Sequence, residues 1–142
     1  MTLLLVRHAW AGDRDNWKGD DRLRPVSGKG IAQADGLVDL LASFAIERVY
    51  SSPFLRCVQT VTPLAAARGL EVVRDESLGE GRGSQGLALA EGVVGNVVLC
   101  GHGDNIPDML DALGVDCDRC KKGSTWVVDL DPIRATYLPP PG

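Results

Sequence analysis

The chain has 142 residues, of which 44% are hydrophobic and 24% charged, and its formal net charge at pH 7 is -4. This size and composition predict one globular domain spanning residues 1–142, and the acidic balance argues against a broad surface for nucleic acid or membrane. No apolar run approaches the ~20 residues of a membrane span, and the first residues lack the pattern of a signal peptide, so we expect a cytoplasmic protein.

Strand-like and helical patterns alternate along the chain. Runs rich in valine and leucine predict strands at residues 2–6, 47–50, 70–74, 96–100 and 125–130, with a further edge strand at 133–138. Helices are predicted after the N-cap candidate Ser27, near Pro53, and over residues 106–113, where Gly114 ends the pattern. The first helix has one apolar face, formed by Ile31, Ala34, Leu37, Leu41 and Phe44. This alternation predicts an α/β fold, a three-layer α/β/α sandwich with a mostly parallel central sheet.

Both histidines of the chain follow predicted strands. The stretch "LLLVRHAW" places Arg7 and His8 directly after the first strand, and "VVLCGHGDN" places His102 after a later strand, between Gly101 and Gly103. Ligands of such sheets gather at the carboxyl ends of the strands, and the helix predicted after His102 has an N-terminus that attracts anions. Both imidazoles are therefore predicted to lie at one ligand site.

The stretch "YSSPFLRCVQT" adds a third element to this site. A strand ends near Ser51 and Ser52, Pro53 opens a helix, and Arg56 lies one turn in, where it projects back over the same edge of the sheet. Guanidinium groups match the oxygens of a phosphoryl group and stay charged at neutral pH. A neutral imidazole beside them can attack phosphorus and form a phosphohistidine, which water then hydrolyses. This chemistry predicts a phosphatase that needs no metal or other cofactor.

The segments "LLLVRHA", "RPVSGKGIAQA", "VYSSPFLRCVQT" and "VVLCGHGDNIPDML" together resemble the histidine phosphatase superfamily, which has the phosphoglycerate-mutase-like fold. Within it, the chain is similar to the short bacterial SixA-type phosphohistidine phosphatases, and the resemblance covers nearly the whole chain. It implies that His8 is the nucleophile and that Arg7 and Arg56 bind the phosphoryl group. It also implies that His102 is the remaining ligand of that group. The chain departs from many members at Ala9 and Gly101, where glycine and serine are common.

The same resemblance makes Glu80 the candidate for protonating the leaving group. Many relatives carry Leu-x-Glu after the third strand, and this chain has Leu78-Gly79-Glu80. A loop carboxylate in a glycine-rich turn is the alternative for Glu80, and Glu76 and Asp104 are weaker candidates for the acid. SixA-type proteins tend to manage without this acid, because a protonated phosphohistidine leaves easily.

The brief, glycine-rich stretch from residue 79 to 95 predicts an open site. Such a site suits a phosphohistidine displayed on a protein, which is our first expectation for the substrate. A small phosphomonoester or nucleotide is the alternative. For Trp10 and Trp17, packing of their loop onto the domain is favoured over stacking on a base. The same loop carries four cations that we place outside the core of the site: Arg14, Lys18, Arg22 and Arg24.

Two functions from other classes are alternatives. A module that binds phosphate without catalysis would use the same arginines, but it would not need a nucleophilic histidine. Cys117 and Cys120 form a C-x-x-C, the spacing of metal and redox sites, but we favour free thiols because a structural zinc site needs a second pair of ligands. The expected partners are a phosphorylated protein or a small phosphorylated substrate, without nucleic acid or membrane, and the oligomeric state is open.

Overall fold

The computed structural model describes residues 1–142. Its strands are β1 (Thr2–Arg7), β2 (Ile46–Ser51), β3 (Val72–Arg74), β4 (Asn96–Gly101), β5 (Thr125–Leu130) and β6 (Ile133–Leu138). Its helices are α1 (Gly28–Leu40), α2 (Leu55–Ala67) and α3 (Asn105–Ala112). Short 3-10 turns lie in the connections, at Arg14–Asn16, Asp21–Leu23, Glu76–Leu78 and Gln85–Ala90. Every predicted strand and helix is present, with small shifts at the ends.

The strands form one sheet in the order β3-β2-β4-β1-β5-β6. β1 pairs in parallel with β4, and β2 pairs in parallel with both β3 and β4. β5 and β6 add an antiparallel edge. The predicted α/β fold with a mostly parallel sheet is therefore confirmed.

Apolar side chains pack on both faces of this sheet. On one face, Leu4 joins a buried cluster with Leu37 of α1 and Leu64 of α2. On the other face, Leu5 packs in a second cluster with Met109 of α3. Neighbouring residues of β1 serve opposite clusters because side chains alternate along a strand. The two clusters produce the predicted α/β/α layering, and none of the helices has the length and apolar character needed to cross a membrane.

Helix α1 begins after Ser27, whose hydroxyl caps the first turn as predicted. Leu37 is fully buried, but Ile31 is 53% exposed. Placing Ile31 on the buried face was therefore wrong. It borders an open groove between α1 and α2 that Val26 and Pro63 also line, so the helical spacing is right but no partner covers this first turn.

The other helices begin and end close to their predicted limits. Helix α2 starts at Leu55, so Pro53 lies before the helix and does not open it; Phe54 between them has an extended backbone. Helix α3 ends before Gly114, whose φ of 78° lies in the left-handed region that favours glycine.

The register of the parallel strands brings their carboxyl ends to one edge of the sheet. Arg7 at the end of β1 is level with Gly101 at the end of β4, and β2 ends at the same level. The next residues along the chain, His8, His102 and Ser52, therefore leave the sheet side by side. This edge is where the sequence predicts the site.

Candidate active site

A cavity of about 690 Å³ opens at this edge of the sheet. His8 and His102 meet at the cavity with ring centroids 5.5 Å apart, and both are buried. Arg7 and Glu80 line the same cavity. Arg56 lies behind the wall, where only 1% of its surface is exposed. The structure thus brings all five predicted site residues together, with Arg56 covered.

The His8 ring is oriented with one nitrogen available for attack. Its Nδ1 lies 2.8 Å from the carbonyl oxygen of Ala9, and because a carbonyl only accepts, Nδ1 carries the proton. The lone pair is therefore on Nε2. Burial lowers the pKa of His8 to about 3; the hydrogen bond to Ala9 opposes this, and the charges of Arg56, His102 and Arg7 add to it. At neutral pH the ring is uncharged, which is the nucleophilic form.

Ser52 fixes the tautomer of His102. Ser52 Oγ lies 2.9 Å from His102 Nε2 and already accepts a hydrogen bond from the Phe54 amide. The hydroxyl has no other acceptor for its own proton and donates it to Nε2, so Nδ1 is the nitrogen of His102 that carries a proton. This Nδ1 is buried and has no partner. Asn105 Oδ1 accepts the main-chain amide of His102 at 2.8 Å and holds the residue in place.

Arg7 is held from the side of the loop that precedes β5. Its Nη1 donates to the carbonyl oxygen of Cys120. Gly103 allows the guanidinium to come close, since a Cβ at that position would lie 2.7 Å from Cζ of Arg7. The Nε of Arg7 is buried and has no partner. One edge of the side chain is thus fixed while another remains free to donate.

Asp21 covers the outer edge of Arg56. Its main-chain oxygen accepts from Nη1 of Arg56 at 2.8 Å, and its carboxylate accepts from Nη2 at 3.0 Å. The Phe54 ring lies 5.0 Å from Cζ, and Nε has no partner. Burial would raise the pKa of Asp21, but the hydrogen bond from Arg24 and the charges of Arg56 and Arg14 outweigh it and lower the pKa. Asp21 is therefore an anion that positions Arg56.

Three buried nitrogens of this site lack hydrogen-bond partners, namely Nε of Arg7, Nε of Arg56 and Nδ1 of His102. Buried polar groups are nearly always paired, and an unpaired one costs about 1–3 kcal/mol. Here the three donors surround the neutral ring of His8. An anion with several oxygens, such as a phosphoryl group, would satisfy all three.

The carboxylates considered as leaving-group acids lie in different places. Glu80 lines the cavity, where Oε1 accepts from Nη2 of Arg14 at 2.7 Å and Oε2 lies 3.6 Å from Nη2 of Arg56. Asp104 also lines the cavity, but its Oδ2 accepts a main-chain amide at 2.6 Å. Glu76 is no part of the wall and forms a surface ion pair. Of these three candidates, only Glu80 lies within 4 Å of the guanidinium of Arg56.

The loop cations divide into two groups. Arg14 and Arg24 line the cavity, whereas Lys18 and Arg22 lie away from the wall, and the placement of all four outside the core of the site stays a prediction. The reason is Asp21, whose carboxylate draws Arg24 to 3.0 Å and Arg14 to 3.7 Å and folds the loop over the site.

The tryptophans of the loop also differ in their environment. Trp17 packs on its own loop, with Nε1 donating to the carbonyl oxygen of Asp20 at 2.9 Å. Trp10 instead lines the cavity, although the two residues are equally exposed, Trp10 at 38% and Trp17 at 37%. The favoured expectation of loop packing therefore describes Trp17 and does not account for Trp10.

Asp21, Ser52 and Lys122 belong to the site, and no functional role was assigned to them from sequence. Ser52 stands in the "YSSPFLRCVQT" stretch next to Pro53, and that position was the available signal. Asp21 and Lys122 lie in polar loops without a motif, and only the fold places Asp21 against Arg56 and Lys122 on the cavity wall. The C-x-x-C segment contributes its main chain, through the contact of Cys120 with Arg7, and its thiols are free.

The family model of the histidine phosphatase superfamily (branch 1) matches residues 3–92, which include His8, both site arginines and Glu80. The chain belongs to the histidine phosphatase superfamily. This membership confirms the predicted superfamily and its enzyme class, a hydrolase of phosphoryl groups. His102 lies beyond the matched residues, and its place in the site rests on the geometry.

The names of proteins similar to this histidine phosphatase give different substrates. The 8-oxo-(d)GTP phosphatase of Mycolicibacterium smegmatis is 36% identical over an alignment of 159 positions that covers 99% of this chain and 48% of that protein. The chain thus spans about half the length of this relative. The candidate phosphohistidine phosphatase SixA of Agrobacterium tumefaciens is 25% identical, with a TM-score of 0.80 over 98% of this chain and 97% of that one.

A second SixA structure, named a protein histidine phosphatase and solved with tungstate, shares the fold. It has a TM-score of 0.81 at 21% identity and covers 100% of this chain and 97% of that chain. The predicted phosphoglycerate-mutase-like architecture and the SixA-type resemblance are confirmed by these structures. The substrates in the names of these three proteins fall into two classes, phosphohistidine and nucleotide.

Proposed function

We propose that residues 1–142 act as one phosphatase domain that hydrolyses phosphoryl groups through a covalent phosphohistidine on His8, without a metal. The observation that carries this proposal is the cluster of unpartnered donors around His8: Nε of Arg7, Nε of Arg56 and Nδ1 of His102. A structural cluster would pair these groups internally. Donors left free around a neutral imidazole fit an anion that arrives as substrate.

In the first step, the lone pair on Nε2 of His8 attacks phosphorus. A bond forms between Nε2 and phosphorus, and the bond from phosphorus to the leaving group breaks, with its electron pair going to the leaving atom. The Ala9 carbonyl keeps the proton of His8 on Nδ1 and so stabilises the positive charge that the ring acquires. Arg7, Arg56 and His102 hold the oxygens of the phosphoryl group during the transfer.

In the second step, water attacks phosphorus of the phosphohistidine. The bond to Nε2 breaks, inorganic phosphate leaves, and neutral His8 is restored. Glu80 lines the cavity and is our candidate for giving a proton to a poor leaving group in the first step. Its pairing with Arg14 supports the alternative, in which Glu80 orients the arginines of the site.

The first candidate substrate is a phosphohistidine on a protein. The likeness to SixA over nearly the whole of both chains and the open cavity support it. A nucleotide is the second candidate, and two observations favour it. Trp10 stands on the cavity wall, and the relative that is 36% identical is named an 8-oxo-(d)GTP phosphatase. The candidates differ in what lies beyond the transferred phosphoryl group.

The test is phosphate release in the presence of EDTA by the wild type and by His8→Ala. The substrates are an aryl phosphate, a phosphohistidine protein and nucleotide phosphates. We expect turnover by the wild type, no turnover by His8→Ala, and an acid-labile phosphoenzyme in rapidly quenched wild-type samples only. The two proteins are compared by circular dichroism to show that both are folded.

The alternative of a non-catalytic binding module has a distinct outcome. A folded wild type that binds inorganic phosphate but releases none from any substrate, and forms no phosphoenzyme, would replace catalysis by binding. Turnover that His8→Ala retains would remove His8 as the nucleophile.

A further inference from the structure

Lys122 and Trp10 form a fixed pair on the wall of the active-site cavity. The Lys122 ammonium lies 4.2 Å from the centroid of the Trp10 ring. Gln33 joins their main chains, because its Oε1 accepts the Trp10 amide at 2.9 Å and its Nε2 donates to the Lys122 carbonyl at 3.4 Å. Gln33 is buried, so the pair has a firm support. Lys122 and Trp10 are separate from the donors that we assign to the transferred phosphoryl group, which lie on Arg7, Arg56 and His102.

The main chain places Lys122 close to the nucleophile. The amide of Gly123 donates to the carbonyl oxygen of His8 at 2.9 Å and to that of Arg7 at 3.2 Å. Gly123 has a φ of 84°, which favours glycine, and this conformation turns the chain so that Lys122 lines the cavity. Lys122 is thus the neighbour in sequence of Gly123, which contacts the end of β1 directly.

Lys122 lies near the positive charges of Arg7 and Arg24. It forms no ion pair, whereas two of the three arginines on the cavity wall have carboxylate partners, Glu80 for Arg14 and Asp21 for Arg24. Burial lowers the pKa of Lys122, the nearby charges of Arg7 and Arg24 lower it further, and the carboxylate of Asp13 opposes the shift without cancelling it. An unpaired charge in this position costs folding free energy, and a ligand anion would relieve the cost.

We infer that Lys122 binds a second phosphate group, joined by an anhydride bond to the phosphoryl group that His8 attacks, so that the substrate is a terminal phosphoanhydride. The inference rests on the proposed function, because it takes the phosphoryl site at His8 as given. Inorganic pyrophosphate and a nucleoside diphosphate share this chemistry. The exposed Trp10 ring gives the nucleoside diphosphate an additional surface, on which a base stacks.

The chemistry of this substrate agrees with the position of Glu80. Attack by Nε2 of His8 on the terminal phosphorus breaks its bond to the bridging oxygen, and the electron pair leaves with a nucleoside monophosphate, or with inorganic phosphate when the substrate is pyrophosphate. That leaving group is a stable anion near neutral pH and needs no strong acid. The charge that develops on the bridging oxygen is stabilised by the ammonium of Lys122. Glu80 can therefore remain paired with Arg14 throughout the step.

The test compares kcat/KM of the wild type, Lys122→Met and Lys29→Met. Methionine keeps an apolar stem against Trp10 and removes the charge. Lys29 is the matched control, since its ammonium lies 5.2 Å from the Trp10 centroid but does not line the cavity. The substrates are a nucleoside diphosphate, the matching nucleoside monophosphate, inorganic pyrophosphate and an aryl phosphate.

We expect Lys122→Met to lower kcat/KM for the nucleoside diphosphate roughly 10- to 100-fold more than for the aryl phosphate. Lys29→Met should change the ratio of the two less than about threefold. Trp10→Ala tests the stacking of the base. If this variant loses more kcat/KM on the nucleoside diphosphate than on pyrophosphate, the base binds at Trp10. Equal losses on the two substrates leave pyrophosphate as the ligand.

Two results would overturn the inference and leave the proposed function standing. One is equal loss on the anhydride and the aryl phosphate in Lys122→Met. The other is a wild type that forms the His8 phosphoenzyme from an aryl phosphate or a phosphohistidine protein but not from either anhydride. A wild type that forms no phosphoenzyme from any of these substrates defeats the proposed function itself.

Discussion

The carboxylate of Asp21 lies 3.0 Å from Nη2 of Arg56, and the main-chain oxygen of the same aspartate lies 2.8 Å from Nη1. Nη1 and Nη2 of Arg56 each commit one hydrogen to the loop in this way, and Nε is the buried nitrogen that has no partner. Asp21 is thus a positioning residue for a group that binds the phosphoryl oxygens. The loop between β1 and α1 takes part in the site through this contact.

Replacing Asp21 by alanine should lower kcat/KM for an aryl phosphate about 10-fold or more, because the guanidinium of Arg56 loses its orientation. Asp21→Asn keeps an acceptor for Nη2 and should retain more of the activity. Asp20→Ala is the control, since the Asp20 carboxylate accepts only the amide of Arg22 in its own turn. Higher activity in Asp21→Ala than in the wild type would show that the carboxylate competes with substrate for Arg56.

Gly103 should be required for activity more than for stability. A Cβ at this position would lie 2.7 Å from Cζ and 3.0 Å from Nε of Arg7, so Gly103→Ala displaces the flexible end of that side chain. We expect a loss of about 100-fold in kcat with little change in the melting temperature. At Gly28 a Cβ would meet nothing within 4 Å, and Gly28→Ala should behave as the wild type. Equal activity of both variants would show that Arg7 has room to move.

The fold and the centre of the site could be predicted because both depend on short-range patterns. β-strand runs end at Arg7 and near His102, and parallel strands place their carboxyl ends at one edge. The Arg-His pair after β1 and Arg56 in the first turn of α2 can therefore be recognised from the sequence alone. The side chain of Ile31 shows the limit of this approach, because its helical spacing is correct and its packing partner is absent.

The surroundings of the site could not be predicted, because they depend on contacts between distant loops. Asp21 meets Arg56 across 35 positions of sequence, and Arg14 meets Glu80 across 66. Lys122 is brought to the cavity by a turn next to His8. Polar loops carry charges for many reasons, so only the folded chain shows which of them face the ligand.

Varying the leaving group distinguishes the two roles considered for Glu80, proton donor and positioning residue for the arginines. If Glu80 protonates the leaving oxygen, Glu80→Gln should lower kcat about 100-fold on an alkyl phosphate and much less on a nitrophenyl phosphate, whose leaving group needs no proton. Glu76→Gln is the control, because Glu76 does not line the cavity. The same loss on both substrates would assign Glu80 to holding Arg14 and Arg56.

The neutral state of His8 should appear in the stability of the protein against acid. Folding lowers the pKa of His8 from 6.5 to about 3, chiefly through burial. As pH falls below the higher of these values, the unfolded chain takes up a proton that the folded chain refuses, so the free energy of unfolding decreases. This one group contributes a slope of up to about 1.4 kcal/mol per pH unit, and the loss is complete once pH has fallen through the folded pKa.

His8→Asn removes this titration and leaves the carboxylates of the chain in place. Urea unfolding of the wild type and His8→Asn at about pH 7 and about pH 5 measures the difference. The wild type should lose more stability than the variant between the two conditions, even where the variant is less stable at neutral pH. Equal losses would mean that the folded chain binds a proton at His8, and the neutral nucleophile on which the proposed mechanism depends would have to be abandoned.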